Sequence, residues 1–288
     1  MQVKLTKSVI TVGSWTLMSR ILGMVREILL STFIGAGPLL DAFVAAFRLP
    51  NIFRRFFAEG AFNAAFVPLF AKRYESNMEP KEFANNVFAN LLTLLLILTS
   101  IAMVFMPGLV FLTAAGFASD QRFDLTVDFG RIMFPYILLI SLAALFSGIL
   151  NTTGRFAIAA AAPVILNIII VVALLTAWAT EHNIMVWLVW SIPIAGIIQL
   201  SLLWLATYKT GIKITFSIPK WNKDIGNLVK LAIPAALAGG VLQINLLVGQ
   251  LVASQVTGAI SFLYFADRLY QLPLGIAGIA VGTVLLPK

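Results

Sequence analysis

The feature that most constrains this chain is a series of apolar stretches, each long enough to cross a bilayer, that nevertheless hold arginines. A membrane span needs roughly 20 mostly apolar residues. Eight stretches meet this: about 8–34, 39–72, 84–113, 126–152, 157–180, 184–207, 228–255 and 258–286. Charged residues are only 11% of the chain and hydrophobic ones 60%, with a mean hydropathy of +0.97, whereas a soluble domain is about 25% charged. The polar surface that a water-soluble globule needs is missing, so the reading is an all-α polytopic membrane protein. The first stretch carries Arg20 and Arg26 and lacks a small-residue cleavage site. It therefore reads as a retained span and not as a removed signal. Pro50 and the charged run around Arg54, Arg55 and Glu59 interrupt the second stretch, which is expected to bend or break there.

Basic residues in the connections set the expected orientation. With the N-terminus in the cytoplasm, that side holds Lys4, Lys7, Lys72, Arg73, Lys81, Arg155, Lys209, Lys213, Lys220, Lys223, Lys230 and Lys288, and the opposite connections hold only Arg122. Residues near 114–125, 181–183 and 255–258 are then outside. The net charge of +8 is spread over several loops. It reads as a topology signal and argues against a nucleic-acid partner. The longest polar connection, 208–227, reads as a solvated cytoplasmic loop lying on the anionic leaflet and as a boundary between two lobes.

A short internal repeat agrees with that boundary. Ala46–Pro50 (AFRLP) and Ala266–Tyr270 (ADRLY) share three identities at a spacing of 220, and parallel repeats of this kind occur in transporters. The expected organisation is a six-helix lobe over 1–210, an inter-lobe loop over 211–227, and the first two helices of a second lobe over 228–288. The chain is expected to be part of a longer transporter.

Seven of the twenty basic residues remain inside the apolar stretches, and all are arginine: Arg20, Arg26, Arg48, Arg54, Arg55, Arg131 and Arg268. A span-centre arginine costs about 2.5–3.5 kcal/mol on insertion scales. Its planar fork of donors matches phosphate oxygens and keeps its charge. The acids counted with these arginines are Glu27, Asp41, Glu59 and Asp267, too few to pair every cation. The excess points to a buried anion held by Arg20, Arg26 and Arg268, with Arg54 and Arg55 nearby. Arg131 and Arg48 read as structural, Asp41 as half of a gate pair with Glu59 as a further gate residue, and His182 as solvated. Zero cysteines and one histidine exclude disulfides, thiolate sites and histidine clusters. No Walker loop, HExxH or nucleophile elbow occurs. The chain reads as a non-enzyme that calls for no metal and no cofactor.

Four segments carry a family resemblance: Ser19–Arg26 (SRILGMVR), Asp41–Pro68 (DAFVAAFRLPNIFRRFFAEGAFNAAFVP), Phe134–Ser141 (FPYILLIS) followed by Gly148–Thr152 (GILNT), and Tyr264–Pro273 (YFADRLYQLP). Together they resemble the MurJ (MviN) lipid II flippases of the multidrug/oligosaccharidyl-lipid/polysaccharide exporter superfamily. The resemblance implies two six-helix lobes around a central cavity, working by alternating access in the bacterial inner membrane. It implies lipid II, a polyprenyl pyrophosphate bearing a disaccharide-pentapeptide, as substrate. Arg20, Arg26 and Arg268 match cavity arginines, with Arg54 beside them, Asp41 matches an outer-gate acid, and Glu59 falls in the Ala-Glu-Gly motif. Two positions depart from the pattern: Thr113–Phe117 (TAAGF) lacks a proline before its glycine, and Gln271 stands where an acid is expected. Competing readings are an exporter of another polyprenyl-linked oligosaccharide or of a drug, and a non-transporting scaffold for cell-wall synthesis enzymes.

Overall fold

The fold is taken from a computed structural model, which describes residues 2–54 and 61–270. Among these residues every regular element is helical: α1 (Gln2–Phe33), α2 (Pro38–Arg54), α3 (Ala61–Glu75), α4 (Pro80–Val104), α5 (Met106–Thr113), a short 3₁₀ turn Ala115–Phe117, α6 (Arg122–Met133), α7 (Tyr136–Thr152), α8 (Phe156–Ala179), α9 (Ile184–Tyr208) and α10 (Lys223–Ala253). A last helix, α11, covers 259–270.

Four segments among the described residues are long and apolar enough to cross a membrane: Pro80–Val104, Arg122–Thr152, Phe156–Ala179 and Ile184–Tyr208. Residues Lys223–Ala238 and Gln243–Ala253, bent by 45°, make a fifth if counted as one span. The protein is a multi-pass membrane protein. Prolines mark where expected spans divide. The third breaks at Phe105, just before Met106-Pro107, and the fourth breaks at Phe134-Pro135, because proline offers no amide to the preceding turn. In the second expected span, α2 runs through Pro50 and is described to Arg54, and α3 from Ala61. Arg55 and Glu59 lie outside the described residues, as does Gln271.

The helices close side by side: α1 packs on α8, α8 on α9, α9 on α7, and α2 on α6, while α10 lies against α3 at one end and α5 with the 3₁₀ turn at the other. Small residues let backbones approach where apolar burial alone cannot drive association. At Gly196 a Cβ would come within 2.8 Å of Tyr136 and Leu139. Two apolar cores result. One, around Phe66, Phe70, Phe88 and Phe146, fills one end. The other, around Leu40, Phe117, Met133 and Leu188, fills the end that carries the 114–122 connection. Gln199 is a buried polar group partnered across helices: it donates to the Ala162 carbonyl and accepts from Tyr136 Oη at 3.3 Å, which spares it the cost of an unmet polar group at this depth.

The connection 209–222 differs from a simple solvated loop. Ile212 and Ile214 are buried in the first core, Thr215 N donates to Asn85 Oδ1 and Lys220 N to Asn86 Oδ1. Phe216, Ile218 and Trp221 stay exposed beside the lysines. This mix suits a segment that lies in a membrane interface.

Candidate functional site

Two acids in the first two helices reach across to the 258–268 segment, and around them the charged residues gather. Arg26 and Glu27 are adjacent on α1 and both buried. Arg26 Nε and Nη2 donate to Glu27 Oε1 at 3.2 and 2.5 Å. Its Nη1 donates to Asn167 Oδ1 at 2.9 Å. Asn167, on α8, in turn donates to the Ser19 carbonyl at 2.9 Å, so α8 orients the guanidinium through an amide anchored on α1.

Two groups from α11 join the same oxygen. Tyr264 Oη donates to Glu27 Oε1 at 2.8 Å, and Arg268 Nε lies 3.5 Å from it. The Arg268 guanidinium rests 5.3 Å from the centre of the Tyr264 ring, a distance at which the ring face attracts a cation. Glu27 Oε1 thus serves every one of these partners, while Glu27 Oε2 is buried with no donor among the described residues.

The structure brings Arg26 and Arg268 onto one acid and adds Tyr264 and Asn167, which the sequence does not single out. Arg20 stands seven residues before Glu27, hence on the same face of a straight helix, and is exposed without an ion pair among the described residues. Arg26 is buried and engaged; Arg268 is 43% exposed at its side chain. Arg54 ends α2. Arg48 is half-buried and Arg131 exposed. Asp128 is likewise exposed, three residues before Arg131, the spacing of a surface pair on a helix. It joins the acids set in apolar stretches. His182 is exposed, as expected.

The second acid, Asp41, is wholly buried. Its Oδ1 accepts from Ser261 N at 2.9 Å and Ser261 Oγ at 2.6 Å, and its Oδ2 from Gly258 N at 2.6 Å. Gly258 has φ of +85°, a conformation that favours glycine and points its amide at the carboxylate. Arg122, which the sequence places in a connection on the expected outer side, is 3% exposed. Its Nη1 lies 3.5 Å from Asp41 Oδ2, and its Nε and Nη2 donate to Asp120 at 2.9 and 2.6 Å. The Phe117 ring lies 4.3 Å beneath it. These bonds hold the Asp120 carboxyl below the usual carboxylate range. Beside this cluster the 3₁₀ turn meets α10: Gly116 N donates to Ser254 Oγ at 3.0 Å. A Cβ at 116 would sit 2.5 Å from the Ser254 carbonyl.

Comparison with known proteins gives concordant findings. The family model described as "Lipid II flippase MurJ" matches residues 30–288. A probable lipid II flippase MurJ of Rhizobium tropici is 48% identical over 291 residues, covering 99% of this chain and 55% of the relative. A lipid II flippase MurJ of Burkholderia cenocepacia is 36% identical over 298 residues, covering 99% and 57%. The chain spans about half the length of these curated relatives. Among solved structures, "Lipid II flippase MurJ, inward closed conformation" superposes with a TM-score of 0.80 at 30% identity, over 96% of this chain and 58% of the other. An outward-facing multidrug resistance MATE transporter of the MOP superfamily superposes at 0.66 with 19% identity, a likeness that bears on fold alone.

Proposed function

We propose, from the premise that this chain belongs to the MurJ lipid II flippase family, that it forms part of a transporter moving lipid II to the outer leaflet of the bacterial inner membrane by alternating access. The observation that carries the reading is the carboxylate of Glu27 shared by the guanidiniums of Arg26 and Arg268 among apolar helices, with Arg20 two turns away on α1. A pyrophosphate is the anion this group suits. Each guanidinium offers a planar fork of donors, and Arg20 and Arg268 present theirs at exposed positions. Arg26, already engaged by Glu27 and Asn167, positions the acid and adds its charge. Glu27, serving all its partners through one oxygen, can release Arg268 to an incoming phosphate without surrendering Arg26. Arg54 and Arg55 are assigned to the substrate path and Glu59 to the gate, Arg55 and Glu59 lying outside the described residues.

Asp41 is the outer gate. Its bonds to Gly258 and Ser261 join α2 to the start of α11 and close that end. The remaining assignments go with this reading: N-terminus cytoplasmic, residues 1–210 a first lobe, 211–227 the inter-lobe connection, 228–288 the start of a second lobe, membrane lipids as surroundings, and no catalytic step. Depletion of the whole protein in cells tests it. Lipid II should accumulate in the inner leaflet, and Arg20→Ala, Arg26→Ala and Arg268→Ala should each fail to complement while still inserting, with lysine at these sites rescuing in part. Normal outer-leaflet lipid II on depletion would favour the scaffold reading, and full activity of the alanine variants would sink the anion grip.

A further inference from the structure

We propose that Arg122 is a positioning residue of the outer gate, which takes over the charge of Asp41 when the 258–261 turn withdraws. The inference rests on the alternating-access reading above. Asp41 is wholly buried, and its three short bonds come from Gly258 N, Ser261 N and Ser261 Oγ. All three donors sit on one turn, so a single departure of that turn removes them together. A carboxylate left without donors at this depth is strongly disfavoured. Water entering with the opening can restore some of these bonds, and a cation that does not leave with the turn lowers the cost that remains.

Arg122 is such a cation. Its Nη1 stands 3.5 Å from Asp41 Oδ2, beyond the ordinary range for such a bond, about 2.7–3.2 Å. In the closed arrangement it therefore contributes little beyond charge. What holds it belongs to the side of Asp41. Asp120 accepts from its Nε and Nη2, the Phe117 ring lies beneath it, and α6, which begins at Arg122, packs on α2, which bears Asp41. None of these contacts involves the 258–261 turn. The guanidinium stays when the turn goes, and a shift of about 0.7 Å converts its contact into a full charge-assisted bond. Arg122 thus favours the open state over the closed one, opposite to the donors it replaces.

The sequence has no cysteine, so Ile260→Cys gives this chain a unique thiol at a position buried in the core of that end. In the whole protein, kept otherwise cysteine-free in its native membrane, labelling of this thiol by an impermeant maleimide from outside reports opening. Asp41→Asn should raise the labelling rate, because the amide nitrogen repels the turn's donors. Arg122→Gln should lower it at least about threefold, and Arg122→Lys should recover most of the loss. In the Asp41→Asn background, which carries no charge to hand over, Arg122→Gln should change nothing. A parent that never labels would overturn opening at this end, and the handover with it. A parent that labels while Arg122→Gln leaves the rate unchanged or raises it would overturn the handover alone.

Discussion

Asp41 and Glu27 are both buried carboxylates of the first two helices, and both reach across to residues 258–268, yet they are satisfied in opposite ways. Asp41 spreads its donors over both oxygens, and three of them are short bonds from one turn. Glu27 gathers all its partners on Oε1 and leaves Oε2 without a donor. The first arrangement is complete only while the turn is docked, so it behaves as a latch between two positions. The second keeps Arg26 whether or not the α11 groups are present, because its nearest partner is its own neighbour in sequence. On the function proposed above, one acid would report a closed contact, and the other would hold the arginines of the two helices together.

The sharpest way to break this contrast is to remove each acid. Glu27→Ala strips buried Arg26 of its carboxylate. Breaking a buried pair in this way costs about 3–5 kcal/mol. We expect a large drop in membrane yield and in the Tm of the purified protein. Asp41→Ala leaves neutral amide and hydroxyl donors that can meet water when the turn lifts, so its loss of Tm should be clearly smaller. Equal losses would remove the distinction between pair and latch. A finer probe is Ser261→Ala, which deletes one short donor of three. A neutral hydrogen bond contributes about 0.5–1.5 kcal/mol, so labelling at position 260 should rise only a few-fold and not to the level of Asp41→Asn. The smallest effect is a pH response. Asp120 has its folded pKa depressed by Arg122. Its stabilisation is therefore present in full above the unfolded value, about 3.9, and is lost as pH falls through the lower folded value. Labelling and Tm should show no Asp120 step between pH 7.5 and 5, and a weak one below about pH 4, weak because this carboxyl is exposed.

The spans were readable because continuous apolar length has one use in a chain this poor in charge. Their breaks at Pro107 and Pro135 follow from the missing amide of proline. Arg26 and Arg268 stood out by the same logic, since a cation inside an apolar helix needs a reason. The burial of Arg122 was not legible, because a position in a connection says nothing about what folds over it. The only local hint was Phe117 and Asp120 close by in the sequence, and the packing of α6 on α2 completes the cover. Asn167 and Tyr264 look like ordinary polar residues of apolar helices. Their roles arise from partners 141 and 238 residues away, which no local pattern contains. Ser261 and Gly258 were invisible for a similar reason: the turn matters through the acid it meets.

The adjacency of Arg26 and Glu27 has a consequence for biogenesis. During synthesis α1 reaches the bilayer long before α8 and α11 have left the ribosome, so Asn167, Tyr264 and Arg268 cannot help it enter. Because the counter-ion is the next residue, the helix carries its own neutralising charge into the lipid. The two later partners then find a guanidinium already held in place. An acid supplied by a distant helix could have completed the same folded cluster, but it would have left the nascent span to cross the insertion machinery with two bare cations.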